Sequence, residues 1–287
     1  MTMAEVFDKK KIRQVFRNVQ KHLLIEQLIR QFSTNKDDIR KTALNQVDLS
    51  NCRNVLELGC AFGAFTEALK DKLHPAAKIT GLDIIPEYKH FFLEACGRAG
   101  YAGTFSSSGI NQIKKYSAGS FDLIICSYAL YFFAGMIPEI ARILKKDGFF
   151  ITITHSQCNM QELISITKKV LKVNTLLTDN QSLPIEIIVG QFSAENGDKL
   201  LHPFFGQIRA IDFKNTLVFQ PWEIDFFVEY YHFKRPFFFM GTDAHKKDIV
   251  DQLLLELRDS ATKEKLVTMC KDDVIFICSQ PLIPKET

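Results

Sequence analysis

A regular alternation of short apolar strands and helical segments between residues 50 and 155 constrains the fold of this chain most. Two of the predicted strands, Phe121–Cys126 and Phe149–Thr154, are apolar almost throughout. Strands of this kind that alternate with helices are typical of a parallel sheet covered on both faces. We predict five βα units of an open, doubly wound sheet, with strands at Arg53–Leu58, Lys78–Asp83, Ala102–Ser106, Phe121–Cys126 and Phe149–Thr154.

The segments on either side of this core are predicted to be mostly helical. Residues 5–32 carry apolar side chains at three- and four-residue steps and favour one amphipathic helix. Beyond the core we predict helices at Gln161–Val173, Ala194–Phe205, Pro221–His232 and Ala244–Arg258, a strand with a hairpin-like return at Gln207–Phe213 and Thr216–Phe219, and a final strand at Asp273–Ser279. This second half is interpreted as insertions into one sheet.

Composition excludes several classes of protein. The 36 Lys and Arg residues nearly balance the 33 Asp and Glu residues, and a formal charge of +3 gives no strong field for nucleic acid or an anionic membrane. Charged residues interrupt every apolar stretch before it reaches membrane-spanning length. The seven cysteines form no CxxC pair and no zinc spacing, which favours reduced, buried thiols and a cytoplasmic protein without a metal.

Open parallel sheets bind ligands at the carboxyl ends of their strands. The first strand ends in Glu57-Leu58-Gly59-Cys60-Ala61-Phe62-Gly63, where two glycines and a small alanine allow the backbone to pass close to a ligand. The spacing G-x-A-x-G differs from the dinucleotide fingerprint G-x-G-x-x-G, and the Glu57 carboxylate would repel a diphosphate. The loop therefore favours a cationic ligand that carries an amino acid over NAD.

Three further strand ends carry polar residues. Asp83 follows the second strand, 24 residues beyond Gly59, where an acid can accept hydrogen bonds from both hydroxyls of a ribose. The third strand ends in the tip Ser106–Gly109, which could contact an adenine edge, and the fourth ends in the segment Cys126–Tyr131. The alternative role for Asp83 taken alone is a cap of the helix that begins at Pro86.

Together these residues resemble the class I S-adenosylmethionine-dependent methyltransferases. VLELGCAFGAF is similar to the glycine-rich first motif of the family, GLDI to its ribose acid, SFDLIICSYALYFF to its fourth-strand motif, and ILKKDGFFITIT to its turn into strand five. The resemblance covers residues 50–155. Ala61 replaces the commoner middle glycine of the motif, and serine stands at the adenine edge where an acid is more usual.

The resemblance implies a fold and a domain plan. It implies a Rossmann-like, doubly wound, seven-stranded sheet, mostly parallel with an antiparallel last strand. The domain plan comprises an N-terminal helical cap over residues 1–49 and a catalytic domain over 50–287. Within that domain, 50–155 would bind the cofactor, 156–206 and 220–265 would form lid and substrate elements, and 273–280 would be the last strand.

The resemblance also implies roles for single residues. Glu57 would orient the glycine loop or bind the ammonium of S-adenosylmethionine, and Gly59, Cys60, Ala61 and Gly63 would line its methionine part. The remaining residues that it implies for the cofactor are Asp83 at the ribose, Ile84 against the adenine, Ser107 or Ser108 at the adenine edge, and Ser127 or Tyr128 near the methionine moiety.

Methyl transfer from a sulfonium requires alignment of the reactants and, for some acceptors, removal of a proton. Candidate bases are His155, just past strand five, and Tyr128 and Tyr131, just past strand four. Each has a structural alternative: His155 as a capping or partly solvated residue, and Tyr131 as a packing residue. The sequence contains no Asn/Asp-Pro-Pro-aromatic tetrad and no Pro-Cys nucleophile after strand four, and Ser127 stands where a catechol-type metal ligand is expected.

Aromatic residues are unevenly distributed. Eleven of the 25 Phe residues lie between Phe192 and Phe239, in the segment that should select the acceptor. Most are expected to form a hydrophobic core, and a minority could close a pocket around an apolar or aromatic small molecule. We therefore predict a small-molecule methyltransferase, monomeric or homodimeric, that releases S-adenosylhomocysteine. The alternatives are methylation of RNA or protein, and a catalytically silent S-adenosylmethionine-binding partner.

Overall fold

The computed structural model describes residues 9–239, 247–264 and 267–282. Its main element is a seven-stranded sheet in the order β3-β2-β1-β4-β5-β9-β6. The strands are β1 Asn54–Leu58, β2 Lys78–Leu82, β3 Ala102–Ser106, β4 Phe121–Ser127, β5 Leu144–His155, β6 Phe205–Phe213 and β9 Asp273–Pro281, while β7 Thr216–Phe219 and β8 Val267–Cys270 form a separate two-stranded sheet. The predicted doubly wound, mostly parallel, Rossmann-like sheet is confirmed.

Strands β1 to β5 pair in parallel with one another in the order β3-β2-β1-β4-β5. The last strand, β9, runs antiparallel to β6, with Phe213 opposite Asp273 and Phe205 opposite Pro281. Chain order reverses between β1 and β4, because β2 and β3 extend the sheet on one side of β1 and β4 and β5 on the other. This reversal is the switch point at which open α/β sheets bind ligands.

Alternate residues of the central strands enter two different hydrophobic clusters, one on each face. Leu56, Ile124 and Phe150 belong to one cluster, while Val55 and Leu123 belong to the other. Because successive side chains of a strand point to opposite faces, a sheet covered on both sides needs apolar residues at every position. This requirement explains the uninterrupted apolar strands of the sequence.

Eleven α-helices are present in the part of the chain that the structure describes. They are α1 Lys9–Phe16, α2 Val19–Phe32, α3 Ile39–Leu44, α4 Ala64–Ala68, α5 Lys89–Ala99, α6 Ile137–Ile143, α7 Gln161–Val173, α8 Pro184–Gln191, α9 Gly197–Leu201, α10 Ile224–Phe239 and α11 Lys247–Glu264. Short 3-10 segments precede some of them, among them Pro86–Tyr88 before α5 and Pro221–Glu223 before α10. None of the described helices is long and apolar enough to cross a membrane.

The chain divides into two compact units. The first, called the sheet unit here, comprises residues 37–154, 191–213 and 273 onward, and it holds the seven-stranded sheet. The second, called the aromatic unit, comprises residues up to 36, 155–190 and 214–272. The aromatic unit contains α1, α2, α7, α8, α10, α11 and the β7-β8 sheet. The predicted domain boundaries at residues 49 and 50 stay a prediction.

The N-terminal helical prediction was wrong in one respect. The segment predicted as a single helix over 5–32 forms two helices, with residues 5–8 outside the described ranges. Asn18 separates them, because its backbone is extended and its Oδ1 accepts the Lys21 N–H at 3.0 Å, which caps α2. A side chain that caps a new helix competes with continuation of the previous one.

The predicted hairpin after β6 was also wrong. β6 pairs with β9, whereas β7 pairs antiparallel with β8, a strand that the sequence reading did not include. Helix α8 lies in a segment for which no helix is predicted, and the helix predicted at Pro221–His232 continues to Phe239. Of the helix predicted at Ala244–Arg258, residues 244–246 lie outside the described part of the chain.

The cysteines divide into five single thiols and one close pair. Cys52, Cys60, Cys96, Cys126 and Cys278 are free and buried. Cys158, in the loop after β5, and Cys270, at the end of β8, bring their Sγ atoms together, with their Cα atoms 6.2 Å apart. The redox state of the thiols stays a prediction. The two residues are 112 positions apart in sequence, so no spacing motif could have indicated the pair.

Candidate active site

The loop after β1 has the backbone conformation that its glycines allow. Gly59 and Gly63 have φ angles of 67° and 84°, and Ala61 lies in the same left-handed region with φ 44°. A Cβ atom at Gly59 would lie 2.6 Å from the Cβ of Ala129, and one at Gly63 would lie 2.6 Å from the Cβ of Ala95. Both glycines are therefore required by close packing as well as by backbone conformation.

Asp83 holds this loop against the end of β2. Its Oδ2 accepts the N–H of Ala61 at 3.0 Å, and its Oδ1 accepts the N–H of Ile85 at 2.9 Å. Burial raises the pKa of this carboxyl group, and the backbone hydrogen bonds oppose that effect. Each carboxylate oxygen can accept more than one hydrogen bond, so two hydroxyl groups of a ligand could still bind. Ile85 precedes the 3-10 segment that begins at Pro86, and no described side chain caps that segment, so the bond from Ile85 to Asp83 is a turn contact and does not support the capping alternative.

The amides of the glycine loop already donate to protein acceptors. Gly59 and Cys60 donate to Leu82 O at 2.8 and 3.2 Å, Ala61 donates to Asp83, and Gly63 donates to Cys60 O at 2.9 Å. A pyrophosphate site needs such amides to point at the ligand. Together with the two nearby carboxyl groups, this arrangement disfavours a dinucleotide.

Glu57 lies beneath the loop and is 3% exposed. Its Oε2 accepts a hydrogen bond from the hydroxyl of Thr66 in α4, a residue that is fully buried. Burial raises the pKa of Glu57 to about 7, although the Thr66 hydrogen bond acts in the opposite direction. Of the two roles considered for Glu57, this geometry favours orientation of the loop and α4 over contact with a ligand ammonium.

The serine tip after β3 adjoins the Asp83 turn. The Asp83 N–H donates to Ser106 O at 3.1 Å, and the hydroxyls of Ser106 and Ser108 lie 3.1 Å apart. Ser107 and Ser108 are exposed. A Cβ at Gly109 would lie 3.2 Å from Cγ2 of Ile84, which brings the predicted adenine-contacting residue and the tip together.

Tyr128 follows Ser127 at the carboxyl end of β4 and has a positive φ of 53°. Its hydroxyl donates to Oδ2 of Asp273 at 2.7 Å, and Asp273 is 6% exposed. Burial and then the Asp273 carboxylate raise the pKa of Tyr128 well above its usual value. A phenol acts as a base only after it loses its proton, so this environment disfavours Tyr128 as a general base.

Tyr131 and the cysteine thiols are packing residues in this structure. Tyr131 is partly buried against the sheet core, and its ring lies 4.8 Å from that of Phe132 in an edge-to-face arrangement. Cys60 and Cys126 are buried, and desolvation raises the pKa of both thiols well above the usual value. Neither thiol is therefore a thiolate nucleophile at neutral pH.

His155 ends β5 and belongs to the aromatic unit, where it is 7% exposed. Its Nδ1 lies 3.4 Å from Nζ of Lys271, which is 5% exposed. An ammonium group can only donate hydrogen bonds, so a hydrogen bond between the two side chains would use Nδ1 as its acceptor. A contact that occupies Nδ1 disfavours that nitrogen as a general base.

The structure brings Gly59, Ala61 and Asp83 together in one set of hydrogen bonds and joins the serine tip to it. Sequence reasoning missed Thr66 and Asp273, the partners of Glu57 and Tyr128. Thr66 is nine residues from Glu57 and has no distinguishing motif, whereas Asp273 marks the start of a predicted strand 145 positions from Tyr128. The assignment of these residues to a cofactor stays a prediction.

Comparison with known proteins identifies the family. The model of the methyltransferase domain family matches residues 49–205, more than half of the chain. The chain belongs to this family. The resemblance to class I S-adenosylmethionine-dependent methyltransferases is thereby confirmed, and no curated protein matches the sequence.

Solved structures with low sequence identity share the fold. The YcgJ protein from Bacillus subtilis has a TM-score of 0.52 and 17% identity over 84% of this chain and 97% of its own. A candidate methyltransferase from Bacillus halodurans C-125 has a TM-score of 0.52 and 13% identity over 85% and 100%. Phosphoethanolamine N-methyltransferase 2 from Haemonchus contortus, in complex with S-adenosyl-L-methionine, has a TM-score of 0.50 and 10% identity over 94% and 60%.

Proposed function

We propose that this protein transfers a methyl group from S-adenosylmethionine to a small, mostly apolar or aromatic molecule and releases S-adenosylhomocysteine. Membership of the methyltransferase domain family supports the reaction class. The cofactor complex of the nematode structural neighbour supports the choice of cofactor. The identity of the acceptor is inferred from this chain's own residues.

One observation carries the cofactor assignment. The Asp83 carboxylate fixes the glycine loop through Ala61 and its own turn through Ile85, at the carboxyl end of β2 beside the switch point of the sheet. An acid fixed in this way is oriented before a ligand arrives and keeps acceptor capacity for the two hydroxyls of a ribose. The engaged amides of the loop and the buried Glu57 favour a cationic amino-acid moiety over a diphosphate.

The proposed reaction is an in-line displacement. A bond forms between the acceptor atom and the methyl carbon, the carbon–sulfur bond breaks, and its electron pair stays on sulfur. The protein binds and orients the reactants, excludes water, and leaves any acceptor proton to a nearby group or solvent. Of the candidate bases, His155 contacts Lys271 through Nδ1, Tyr128 donates its hydroxyl hydrogen to Asp273, and Tyr131 packs against the sheet core, so none of the three is favoured as a base.

Two features support a small acceptor with apolar surface. The near-balance of charges, a formal +3, gives no strong field to attract a nucleic acid. The aromatic unit contains close ring pairs, such as Phe32 with Phe219 at 4.3 Å and Phe219 with Phe227 at 5.3 Å between centroids. Aromatic surface of this kind suits an apolar ligand or a cationic one.

Calorimetric titration with S-adenosylmethionine, S-adenosylhomocysteine and NAD tests the cofactor assignment. We expect binding of the first two and none of NAD. Asp83→Ala should weaken binding by about 1–3 kcal/mol, roughly 5- to 150-fold, because the ribose loses its acceptors and the loop loses the Ala61 bond. Glu87→Ala removes an exposed acid four residues away and should leave affinity unchanged.

Absence of heat and of any thermal shift with both sulfur ligands would contradict the proposal, as would unchanged affinity in Asp83→Ala. The acceptor can be sought with a panel of small amines, phenols, thiols and carboxylates, measured by release of S-adenosylhomocysteine. Turnover confined to RNA or protein substrates would replace the small-molecule assignment.

A further inference from the structure

Two of the seven cysteines differ from the others in exposure. Cys158 and Cys270 are partly exposed, whereas the other five cysteines are buried. Burial raises the pKa of each of those five thiols, so they stay protonated and unreactive at neutral pH. A reagent that attacks thiols therefore reaches Cys158 and Cys270 first, and both residues lie in the aromatic unit.

The backbone holds these two cysteines side by side without help from a bond between their sulfurs. Met160 N–H donates to Cys270 O at 2.9 Å, and Ser156 N–H donates to Asp272 O at 3.0 Å. These bonds join the loop before α7 to the end of β8 on both sides of Cys158. The Cα atoms of the pair are 6.2 Å apart, inside the range of about 4.4–6.8 Å that a disulfide spans. A bond between the sulfurs can therefore form and break while the backbone keeps its place.

The surroundings of the two sulfurs differ. The Ser156 hydroxyl donates to Sγ of Cys158 at 3.4 Å, a contact that favours negative charge on that sulfur. The Glu162 carboxylate accepts the Cys270 N–H at 3.0 Å, and a negative charge beside a thiol disfavours its thiolate. Because the thiolate is the attacking form, this contrast favours Cys158 as the nucleophile and Cys270 as the thiol that resolves the first product.

We propose that Cys158 and Cys270 form a reversible thiol–disulfide site for a small-molecule disulfide such as glutathione disulfide, an inference independent of the proposed methyl transfer. The Cys158 thiolate attacks one sulfur of glutathione disulfide, whose sulfur–sulfur bond breaks, and one glutathione leaves as a thiolate with the electron pair. The Cys270 thiolate then attacks Sγ of Cys158 and releases the second glutathione. Two protein thiols are oxidised, one glutathione disulfide is reduced to two thiols, and the two protein protons pass through solvent to the glutathione thiolates.

A metal ion is the alternative occupant of this site. The carboxylate of Asp272 lies within 4.8 Å of both sulfurs, and thiolates and carboxylates are zinc ligands. That carboxylate already accepts hydrogen bonds from Lys214 Nζ and from the Asn215 N–H, both at 2.9 Å. An ammonium group this close repels a dication, so the arrangement favours sulfur chemistry over metal binding.

Redox titration of the full-length protein with mixtures of reduced and oxidised glutathione tests the site. After quenching with a maleimide, peptide mass spectrometry should find a Cys158–Cys270 cross-link in oxidising mixtures and two labelled thiols in reducing ones. The five buried cysteines should be labelled only after denaturation. Because the bond joins residues 112 positions apart, the oxidised protein should have a Tm about 5–10 °C above that of the reduced protein.

Serine variants distinguish the roles of the two cysteines. Cys270→Ser should accumulate a mixed disulfide between Cys158 and glutathione, because no second thiol resolves it. Cys158→Ser should form a mixed disulfide at Cys270 about tenfold more slowly, because the better nucleophile is gone. Cys52→Ser, at a buried cysteine of the sheet unit, is the matched control and should keep both the cross-link and the Tm difference.

The proposal is wrong if no ratio of the two glutathione forms produces the cross-link, or if the cross-link leaves the Tm unchanged. Equal labelling of all seven cysteines in the folded wild type would also overturn it, and this measurement does not depend on the folding of any variant. Protection of both thiols by Zn²⁺, with no cross-link under glutathione, would assign metal binding instead. A cross-link that excess dithiothreitol does not reduce in the folded protein would be a permanent structural disulfide and would contradict reversibility.

Discussion

The glycine loop of the sheet unit and two buried side chains of the aromatic unit differ in whether their polar groups have hydrogen-bond partners. At the glycine loop of the sheet unit, the Asp83 and Glu57 carboxyl groups both accept hydrogen bonds from named partners. In the aromatic unit, the Asn159 carboxamide and the Tyr231 hydroxyl are buried and have no partner among the described residues. The two carboxyl groups at the loop therefore have protein partners in the free protein, whereas the Asn159 and Tyr231 side chains, like the Thr152 hydroxyl of β5, have none among the described residues.

This difference corresponds to two kinds of task. A cofactor that is the same throughout a family can be bound by a fixed loop whose conformation is built into the fold. An acceptor that differs between relatives needs local groups that are matched to it, even at a cost in stability. Matched variants in the two units test this contrast.

Phe227→Ala should give the largest effect, because it tests whether the aromatic unit is a packed core. Phe227 is 2% exposed and lies against Phe219, so its loss should cost about 3–5 kcal/mol of unfolding free energy. Phe226, its neighbour in α10, is 46% exposed, and Phe226→Ala is the matched control with an effect below about 1 kcal/mol. Denaturant unfolding measures both. Equal effects would contradict the assignment of Phe227 to a packed core.

Most of the sheet unit could be predicted from the sequence. The near-continuous apolar strands required a sheet buried on both faces, and the observed strand boundaries differ from the predicted ones by only a few residues. The prediction failed for strands whose pairing partners lie far away in the sequence. β6 and β7 are separated by only Lys214-Asn215, yet β6 joins β9 and β7 joins β8, because partners far along the chain outcompete a short hairpin.

The candidate site could be predicted in part for the same reason. Gly59 and Asp83 are found by their spacing, since both follow parallel strands that end at one edge of the sheet. Sequence spacing could not have found Asp273 or Asn159. Asp273 accepts a hydrogen bond from a tyrosine 145 positions away, and Asn159 stands out only because its buried side chain has no hydrogen-bond partner among the described residues. The eleven Phe residues between Phe192 and Phe239 indicate an acceptor pocket less specifically than expected. They divide between both units, with Phe192 packed on Phe276 and Phe205 on Phe150 in the sheet unit.

One buried titratable group in each unit, Glu57 and His22, should make the unfolding free energy depend on pH, and the two dependences should have opposite signs. Burial raises the pKa of Glu57 from 4.5 to about 7, so between these values the folded sheet unit binds more protons than the unfolded chain. Its contribution to stability is therefore present at low pH and is lost as pH rises through 7. Glu57→Gln keeps an acceptor for Thr66. As pH rises from 5 to 7.5, its unfolding free energy should increase by about 3 kcal/mol relative to that of the wild type.

In the aromatic unit, His22 should act in the other direction. Burial, and then the charge of Lys234, lowers its pKa from 6.5 to about 4, and its ring lies 5.5 Å from that of Phe233. The unfolded chain then binds the extra proton, so stability is present above pH 6.5 and is lost as pH falls towards 4. The unfolding free energy of His22→Gln should therefore fall by about 2–3 kcal/mol less than that of the wild type over this range, a figure that allows for partial exposure of the ring. Denaturant unfolding from pH 4 to 8 measures both variants, and slopes of the same sign would contradict the comparison.

Gly63→Ala should show how tightly the fixed loop is built. The left-handed backbone costs an alanine about 1 kcal/mol, and the 2.6 Å approach to the Cβ of Ala95 adds a clash, for a total of about 2–3 kcal/mol. Gly100 has a nearly equal φ of 86° with open space beside it, so Gly100→Ala isolates the backbone cost alone. Thermal unfolding and S-adenosylhomocysteine titration measure the difference. If the two variants behave alike, the loop is less closely packed than the structure indicates.

The smallest effects are expected when the same substitution, Tyr to Phe, is made once in each unit. Tyr128→Phe removes the hydrogen bond to the buried carboxylate of Asp273 and should cost about 1–2 kcal/mol of unfolding free energy. Tyr231→Phe removes a buried hydroxyl that has no partner in the described part of the chain, so it should be neutral or slightly stabilising. Paired denaturant curves measure the contrast. A destabilising Tyr231→Phe would show that the Tyr231 hydroxyl has a hydrogen-bond partner, and a neutral Tyr128→Phe would contradict a structural role for the pair with Asp273.

Tyr128→Phe should also leave the pH dependence of turnover unchanged, because a tyrosine whose pKa is raised by burial and a carboxylate keeps its proton at neutral pH.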